Sequence, residues 1–315
     1  MVDKSCPLLL VDLGYALFYR YSASQLWYKH SHPEEKADLT KDYKWHQNPV
    51  FVEKMKKMFV VDIFTLAKDY KIPKSNIIIA EDCRLKDNWR SKEFVDYKAQ
   101  RNEEREKTGW QGGSSFEIIY KEVLPEMVNT HGVIHLKSEK VEADDIISQI
   151  VIKYKSQFPS FVIVASDNDY FQILNDGVDL ITMKGGSVKD KMKYTPEFHL
   201  LEKILKGDVS DNIQACEFNK ELIMEVIPGM KPKTNNKPKS KSKSDEPTEI
   251  VKVKANKKIL DYYMSQSDPK QIEKDIARMG DNFVFGYKEN KKLIDFNELP
   301  EEYVKNIHDL VANIF

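Results

Sequence analysis

Three short apolar runs in this chain end in acid. Residues 8–11 (LLLV) meet Asp12, residues 77–80 (IIIA) meet Glu81 and Asp82, and residues 161–165 (FVIVA) meet Asp167 and Asp169 after a single Ser. Unbroken apolar runs of four or five residues, without polar alternation, read as strands buried on both faces. A weaker run covers 178–182. Between the runs, residues 50–70, 116–130 and 143–154 carry apolar side chains three or four apart, the spacing of amphipathic helices. Strands alternating with helices predict an α/β fold with a mainly parallel sheet flanked by helices. Ligands of such sheets bind at the carboxyl ends of the strands. Those ends are where the acids fall.

The 315 residues allow a large core, and 41% hydrophobic with 31% charged residues indicates a globular chain with a highly charged surface. The net charge of −1 hides 49 basic and 50 acidic residues, which can segregate into opposite patches. Cys6, Cys83 and Cys216 form no CxxC pair, which argues against structural zinc or a disulfide framework and for a reducing compartment. No apolar run approaches the roughly 20 residues of a membrane helix. The expectation is a soluble, cytoplasmic protein.

Two further acid groups stand out. Glu142, Asp144 and Asp145 open the helix expected at 143–154, where acids suit the helix dipole but repel one another unless cations screen them. Asp208 and Asp211 lie three apart in KGDVSDN and would share a face in a helical turn. Clustered carboxylates without matching His or Cys suit hard cations such as Mg²⁺, which prefer oxygen ligands. Two such ions about 4 Å apart can activate water and stabilise a leaving oxygen in phosphodiester hydrolysis. No HExxH, GxSxG, Walker loop or GxGxxG is present, which lowers zinc protease, serine hydrolase, P-loop and dinucleotide readings. In YKAQR, Lys98 and Arg101 at i, i+3 on a helix would face one way and could neutralise a phosphate. Tyr97 reads equally as a ring that stacks on a base or as core.

Taken in order, the motifs LLLVDLG, IIIAEDC, WRSKEFVDYKAQR, VEADDIIS, VASDNDYFQIL and KILKGDVSDNI resemble those of the flap endonuclease/5′→3′ exonuclease family. YKENKKLIDFNELPEEYVKNI, near the end, resembles phage members that remove RNA primers during lagging-strand replication. The resemblance implies a PIN-like sheet and two Mg²⁺ ions, with Mn²⁺ as a substitute. It implies Asp12, Asp82, Asp144 and Asp167 at one ion, supported by Glu142 and Asp145, and Asp169, Asp208 and Asp211 around a second. Lys98 and Arg101 are implied at the scissile phosphate, and Arg90 and Tyr97 join an arch-like segment, 84–113. The implied substrates are DNA and RNA/DNA duplexes with a 5′ end or flap. Implied partners are a single-strand-binding protein and a sliding clamp, for a monomer working in a bacterial host's cytoplasm.

The expected division is a catalytic domain over 1–212 and a helical part over 213–315. The latter contains a flexible loop, 231–258, with ten Lys against three acids. Lys231, Lys233 and Lys237 in that loop are candidate phosphate contacts, because only Pro228-Gly229 hints at the family's usual duplex-gripping turn. Two other readings remain open: a non-catalytic nucleic-acid-binding replication protein, and a PIN-type ribonuclease.

Overall fold

A computed structural model describes every residue except 1, 102–106, 108–109, 111, 220–224, 228–249, 252–255, 267 and 269. Lys231, Lys233, Lys237 and the Pro228-Gly229 turn lie outside the described residues. Backbone contacts group the rest into two units, residues 1–192 with 299–315, and residues 193–298.

The first unit is built on five strands: β1 (Leu8–Asp12), β2 (Ile77–Glu81), β3 (Ile134–Lys137), β4 (Phe161–Val164) and β5 (Val178–Ile181). All pairings are parallel, in the order β3-β2-β1-β4-β5. This is the flanked parallel sheet expected from the sequence. Leu9, Val11, Ile77, Ile79, Val162 and Val164 pack into one core cluster with Leu17 of helix Leu13–Ser31 and Phe51, Phe59 and Ile63 of helix Pro49–Asp69. Leu8, Leu10, Ile78 and Ile163 alternate with them and are equally buried, so both faces of the sheet are covered. Helix Ala143–Tyr154 lies against β1 and β2, and helix Glu301–Ala312 packs on it in turn. Chain-terminal residues 299–315 therefore belong with the first unit.

Parallel pairing fixes where the strands stop. Asp12 is level with Ala80, Val11 with Val164, and Glu81 with Lys137. The acids at the ends of β1, β2 and β4 thus emerge on one edge within a residue or two of the same level. Two features differ from expectation. Helix Leu13–Ser31 had no assigned range, because its polar and aromatic residues blur the apolar period. The helix expected at 116–130 is Gly113–Ile118 followed by a π turn at Ile119–Val123 and by Leu124–His131.

The second unit contains helix Pro196–Lys206, a two-stranded antiparallel pair of Phe218–Asn219 with Ile250–Val251, and helices Asn256–Ser265, Gln271–Asp275 and Asp281–Ile294. Between Lys206 and Gln214 the chain makes a closed turn in which Asp208 and Ile213 exchange backbone hydrogen bonds. Gly207 permits the closure. Its φ is +68°, and a Cβ there would lie 2.3 Å from the Ile213 oxygen. Buried Asn290 clamps the turn, its Nδ2 donating to the Ile204 and Gln214 oxygens, each at 2.8 Å. Asn290→Leu strands both acceptors and is expected to lower the unfolding free energy by about 1–3 kcal/mol. An unchanged midpoint in urea titration would contradict this account of the turn.

Candidate active site

Four of the clustered acids are each oriented by a backbone N–H. Asp12 caps helix Leu13–Ser31, its Oδ1 accepting from Tyr15 N at 2.9 Å. Asp82 Oδ1 accepts from Ala143 N at 2.8 Å, at the start of helix Ala143–Tyr154. Asp144 Oδ1 accepts from Asp145 N at 2.8 Å, and Asp167 Oδ1 from Asp169 N at 3.0 Å. These are ordinary helix-start geometries that satisfy otherwise unpaired donors. They use one oxygen of each carboxylate. Among the described residues, the second oxygens of Asp82, Asp144 and Asp167 accept no hydrogen bond, whereas Asp12 Oδ2 faces the Tyr170 hydroxyl at 3.3 Å.

The acids also crowd one another. Above Gly14, a Cβ would sit 3.3 Å from Asp82 Oδ2 and 3.4 Å from Asp12 Oδ1. Asp12, half-buried, loses water and feels the charges of Asp82 and Asp167, which push its pKa up to about 7. Asp144 is raised by desolvation, with Asp145 and Glu142 adding to it. Gly14 and Tyr170 were missed by sequence reasoning. For Tyr170 a signal existed: a Tyr directly after the acid pair, in the apolar stretch YFQIL, buries its ring and must place its hydroxyl on an acceptor.

A second group of acids is neutralised internally. Arg90, 3% exposed, forms a forked pair with Asp145 at 2.7 and 2.8 Å and reaches Glu142 Oε2 at 3.4 Å. Glu142 also accepts from the Tyr97 hydroxyl at 2.7 Å and from Lys98 Nζ. Burial opposes ionisation of Glu142, but Lys98 and Arg90 hold its pKa down at about 2. Asp145 accepts from Glu142 N at 3.0 Å, completing a capping box. Arg90 and Tyr97, expected on the arch-like segment, are therefore buried against the acids, and of the two readings of Tyr97 the packed one is seen. Lys98 and Arg101 do not share a helix face: Lys98 sits in a turn with φ +54°, where its side chain is drawn onto Glu142. Glu81 faces His135 at 2.8 Å and Lys137, away from the cluster.

The remaining candidates lie apart in sequence. Asp169 starts the 3-10 helix Asn168–Ile173 in the first unit. In the second unit, Asp208 Oδ2 pairs with Lys203 at 2.7 Å while its Oδ1 accepts from Ser210 N and Oγ. Burial opposes this ionisation too, and Lys203 brings the Asp208 pKa down to about 2. Asp211 is buried in the same turn.

Residues 7–204 match the family described as the 5′-3′ exonuclease, N-terminal resolvase-like domain. The chain belongs to this family. Its chemistry is phosphodiester hydrolysis. It is 27% identical over 246 residues to the ribonuclease H of Enterobacteria phage T4, covering 78% of this chain and 72% of that one. It is 28% identical over 156 residues to the 5′-3′ exonuclease of Buchnera aphidicola subsp. Schizaphis graminum, covering 47% and 50% of the two chains. The fold matches that of the bacteriophage T5 D15 protein co-crystallised with metal ions, with TM-score 0.60 at 15% identity, over 98% of this chain and 99% of that one. The T5 D15 flap endonuclease in a complex with DNA and metal ions matches with TM-score 0.56 at 15% identity, over 98% of each. No helix among the described residues is long and apolar enough to cross a membrane.

In the family member without bound cations, Asp12 carries a stability signature. Its pKa is about 7 folded and about 4 unfolded, so the folded chain holds a proton that the unfolded chain has released. Stability therefore falls as pH rises from about 4 towards 7. In EDTA at pH 8, Asp12→Asn is expected to raise the melting temperature by a few degrees, on the order of 1 kcal/mol, and to flatten its dependence on pH. A variant with the wild-type pH slope would contradict the crowding described above.

Proposed function

We propose that this chain is a structure-specific, divalent-metal-dependent 5′→3′ nuclease, acting as exonuclease and flap endonuclease on DNA and RNA/DNA duplexes with 5′ ends or flaps. The observation that carries this reading is the set of oriented carboxylates, Asp82, Asp144 and Asp167, whose second oxygens find no donor among the described residues. Hard oxygen donors with uncompensated negative charge fit Mg²⁺, with Mn²⁺ as a substitute. Asp12, Asp82, Asp144 and Asp167 would hold the ion. When bound, divalent ions supply Lewis acidity, polarising the phosphate and lowering the pKa of the attacking water.

The chain's own side chains supply the rest. Glu142 and Asp145, neutralised by Lys98 and Arg90, act as the frame of the site rather than as open ligands. Lys98 and Arg101 both act electrostatically on Asp82, so positive charge lies beside the carboxylates where a phosphate would approach. Asp169, Asp208 and Asp211 remain proposed contributors to a second ion, on the resemblance. The likeness to the phage T4 ribonuclease H supports removal of RNA primers in lagging-strand replication as the biological task. A single-strand-binding protein and a sliding clamp are the partners such a task would bring.

Asp144→Asn and Asp167→Asn are each expected to cut turnover on a 5′-labelled flap substrate at least 100-fold, on the order of effects seen for removing one electrostatic stabiliser, while duplex binding persists. Wild-type turnover by either variant in Mg²⁺ would overturn the reading. Comparing flap, nicked and single-stranded RNA substrates separates it from a PIN-type ribonuclease, which would favour the last.

A further inference from the structure

Asp12 stands apart from the other three acids of the open cluster. Asp82, Asp144 and Asp167 each keep one oxygen that accepts no hydrogen bond among the described residues. Both oxygens of Asp12 are engaged: Oδ1 accepts from Tyr15 N at 2.9 Å, and Oδ2 from the Tyr170 hydroxyl at 3.3 Å. The first donor belongs to the helix that Asp12 itself caps. The second is 158 positions away in sequence.

The sheet brings Tyr170 there. Val11 is level with Val164 on the neighbouring strand, so the segment leaving β4 runs beside the end of β1. It winds into the 3-10 helix Asn168–Ile173, against which helix Ala143–Tyr154 packs. The Tyr170 ring is fully buried. A Phe would fill the same space, so what Tyr adds is a hydroxyl, which when buried needs an acceptor. Burial and the charges of Asp12, Asp144, Asp167 and Asp82 all favour its protonated form, and it therefore stands among the four acids as a donor. The bond is long for two oxygens, as hydrogen bonds at catalytic sites often are before the site is loaded.

A lone Asp carboxylate turns easily about its Cβ–Cγ bond. Donors from two separate elements, one on each oxygen, hold that of Asp12 in one orientation. This restraint bears on which cation fits. Mg²⁺ is small and demands near-ideal octahedral geometry, whereas Ca²⁺ accepts more oxygens in flexible arrangements and often takes both oxygens of one carboxylate. A carboxylate held still suits the first ion, and one free to swing suits the second. We propose that Tyr170 is a positioning residue that fixes the outer oxygen of Asp12 and thereby favours Mg²⁺ over Ca²⁺ at the sheet edge. The proposal rests on the reading above that these carboxylates hold a divalent cation.

The test uses the full chain without substrate. Free Mn²⁺ is counted by electron paramagnetic resonance, with Mg²⁺ and Ca²⁺ as competitors, for the wild type and for Tyr170→Phe. Melting in EDTA checks that the variant folds. Tyr170→Phe is expected to weaken Mg²⁺ binding about tenfold, as removal of an outer partner of a metal ligand does, and to change Ca²⁺ binding by less than about twofold. The Asp12→Asn/Tyr170→Phe double variant is expected to bind Mg²⁺ as Asp12→Asn alone does, because the hydroxyl acts through Asp12. Unchanged Mg²⁺ affinity in Tyr170→Phe, or the equal loss for both ions that a merely loosened fold produces, would overturn the proposal. If Tyr170→Phe does not fold, a ring-fluorinated tyrosine placed at 170 keeps both ring and hydroxyl. Its fluorine resonance is expected to move when Mg²⁺ binds, and a resonance that stays in place overturns the proposal. A wild type that binds neither Mn²⁺ nor Mg²⁺ sinks the metal reading of the carboxylates, and this one with it. Wild-type binding with unaltered selectivity in the variant sinks this proposal alone.

Discussion

Like charges held a few ångströms apart repel strongly once water is reduced around them, and this repulsion shapes the whole sheet edge. The fold answers it in two ways. Asp12, Asp82, Asp144 and Asp167 each receive a backbone N–H, which fixes orientation but leaves most of the negative charge in place. Glu142, Asp145 and Glu81 receive cations, which cancel it. The acids are thereby sorted into an open set and a closed set. Chemistry with a divalent cation needs the open set, and the closed set keeps that cluster from being too charged to fold.

The sheet makes the sorting possible. Parallel strands all end on one edge, and helix starts follow them directly, so donors and acids arrive together. Because β1, β2 and β4 are buried on both faces, their ends have little freedom, and the separation of Asp12 from Asp82 is set by strand pairing rather than by loop conformation. The Arg90–Asp145 fork extends that rigidity to the loop after β2. It is buried, bidentate and shared with Glu142, and through Glu142 it also fixes Lys98 and Tyr97. Breaking one partner of such a buried group leaves an uncompensated charge. Loop and helix start are therefore coupled.

Much of the architecture was legible from local pattern. The unbroken apolar runs at β1, β2 and β4 could hardly be anything but buried strands, and helix Pro49–Asp69 declared itself through Val52, Met55, Phe59, Ile63 and Leu66. β3 was not legible: as an edge strand with one neighbour it reads IHLK, with His135 and Lys137 breaking the apolar pattern. Helix Leu13–Ser31 was hidden by its aromatic and polar residues, several of which, such as Arg20 and Ser24, are buried in spite of their polarity. Among the described residues, the carboxylate that reconciles Arg20 to burial is Asp62, 42 positions away.

For the site, the sequence by itself determined which acids stand at the sheet edge, because strand ends and helix starts are encoded within a few residues. The order and spacing of the motifs carried the family as well. Only the tertiary structure decided which of those acids remain open. Arg90 was expected on an arch-like segment, Tyr97 read equally as a base-stacking ring or as core, and Lys98 was expected on one face of a helix. All three turn inward onto Glu142 and Asp145, which lie 44 to 55 positions away. Charge balance acts through space, and no local pattern records which cation will be folded against which acid.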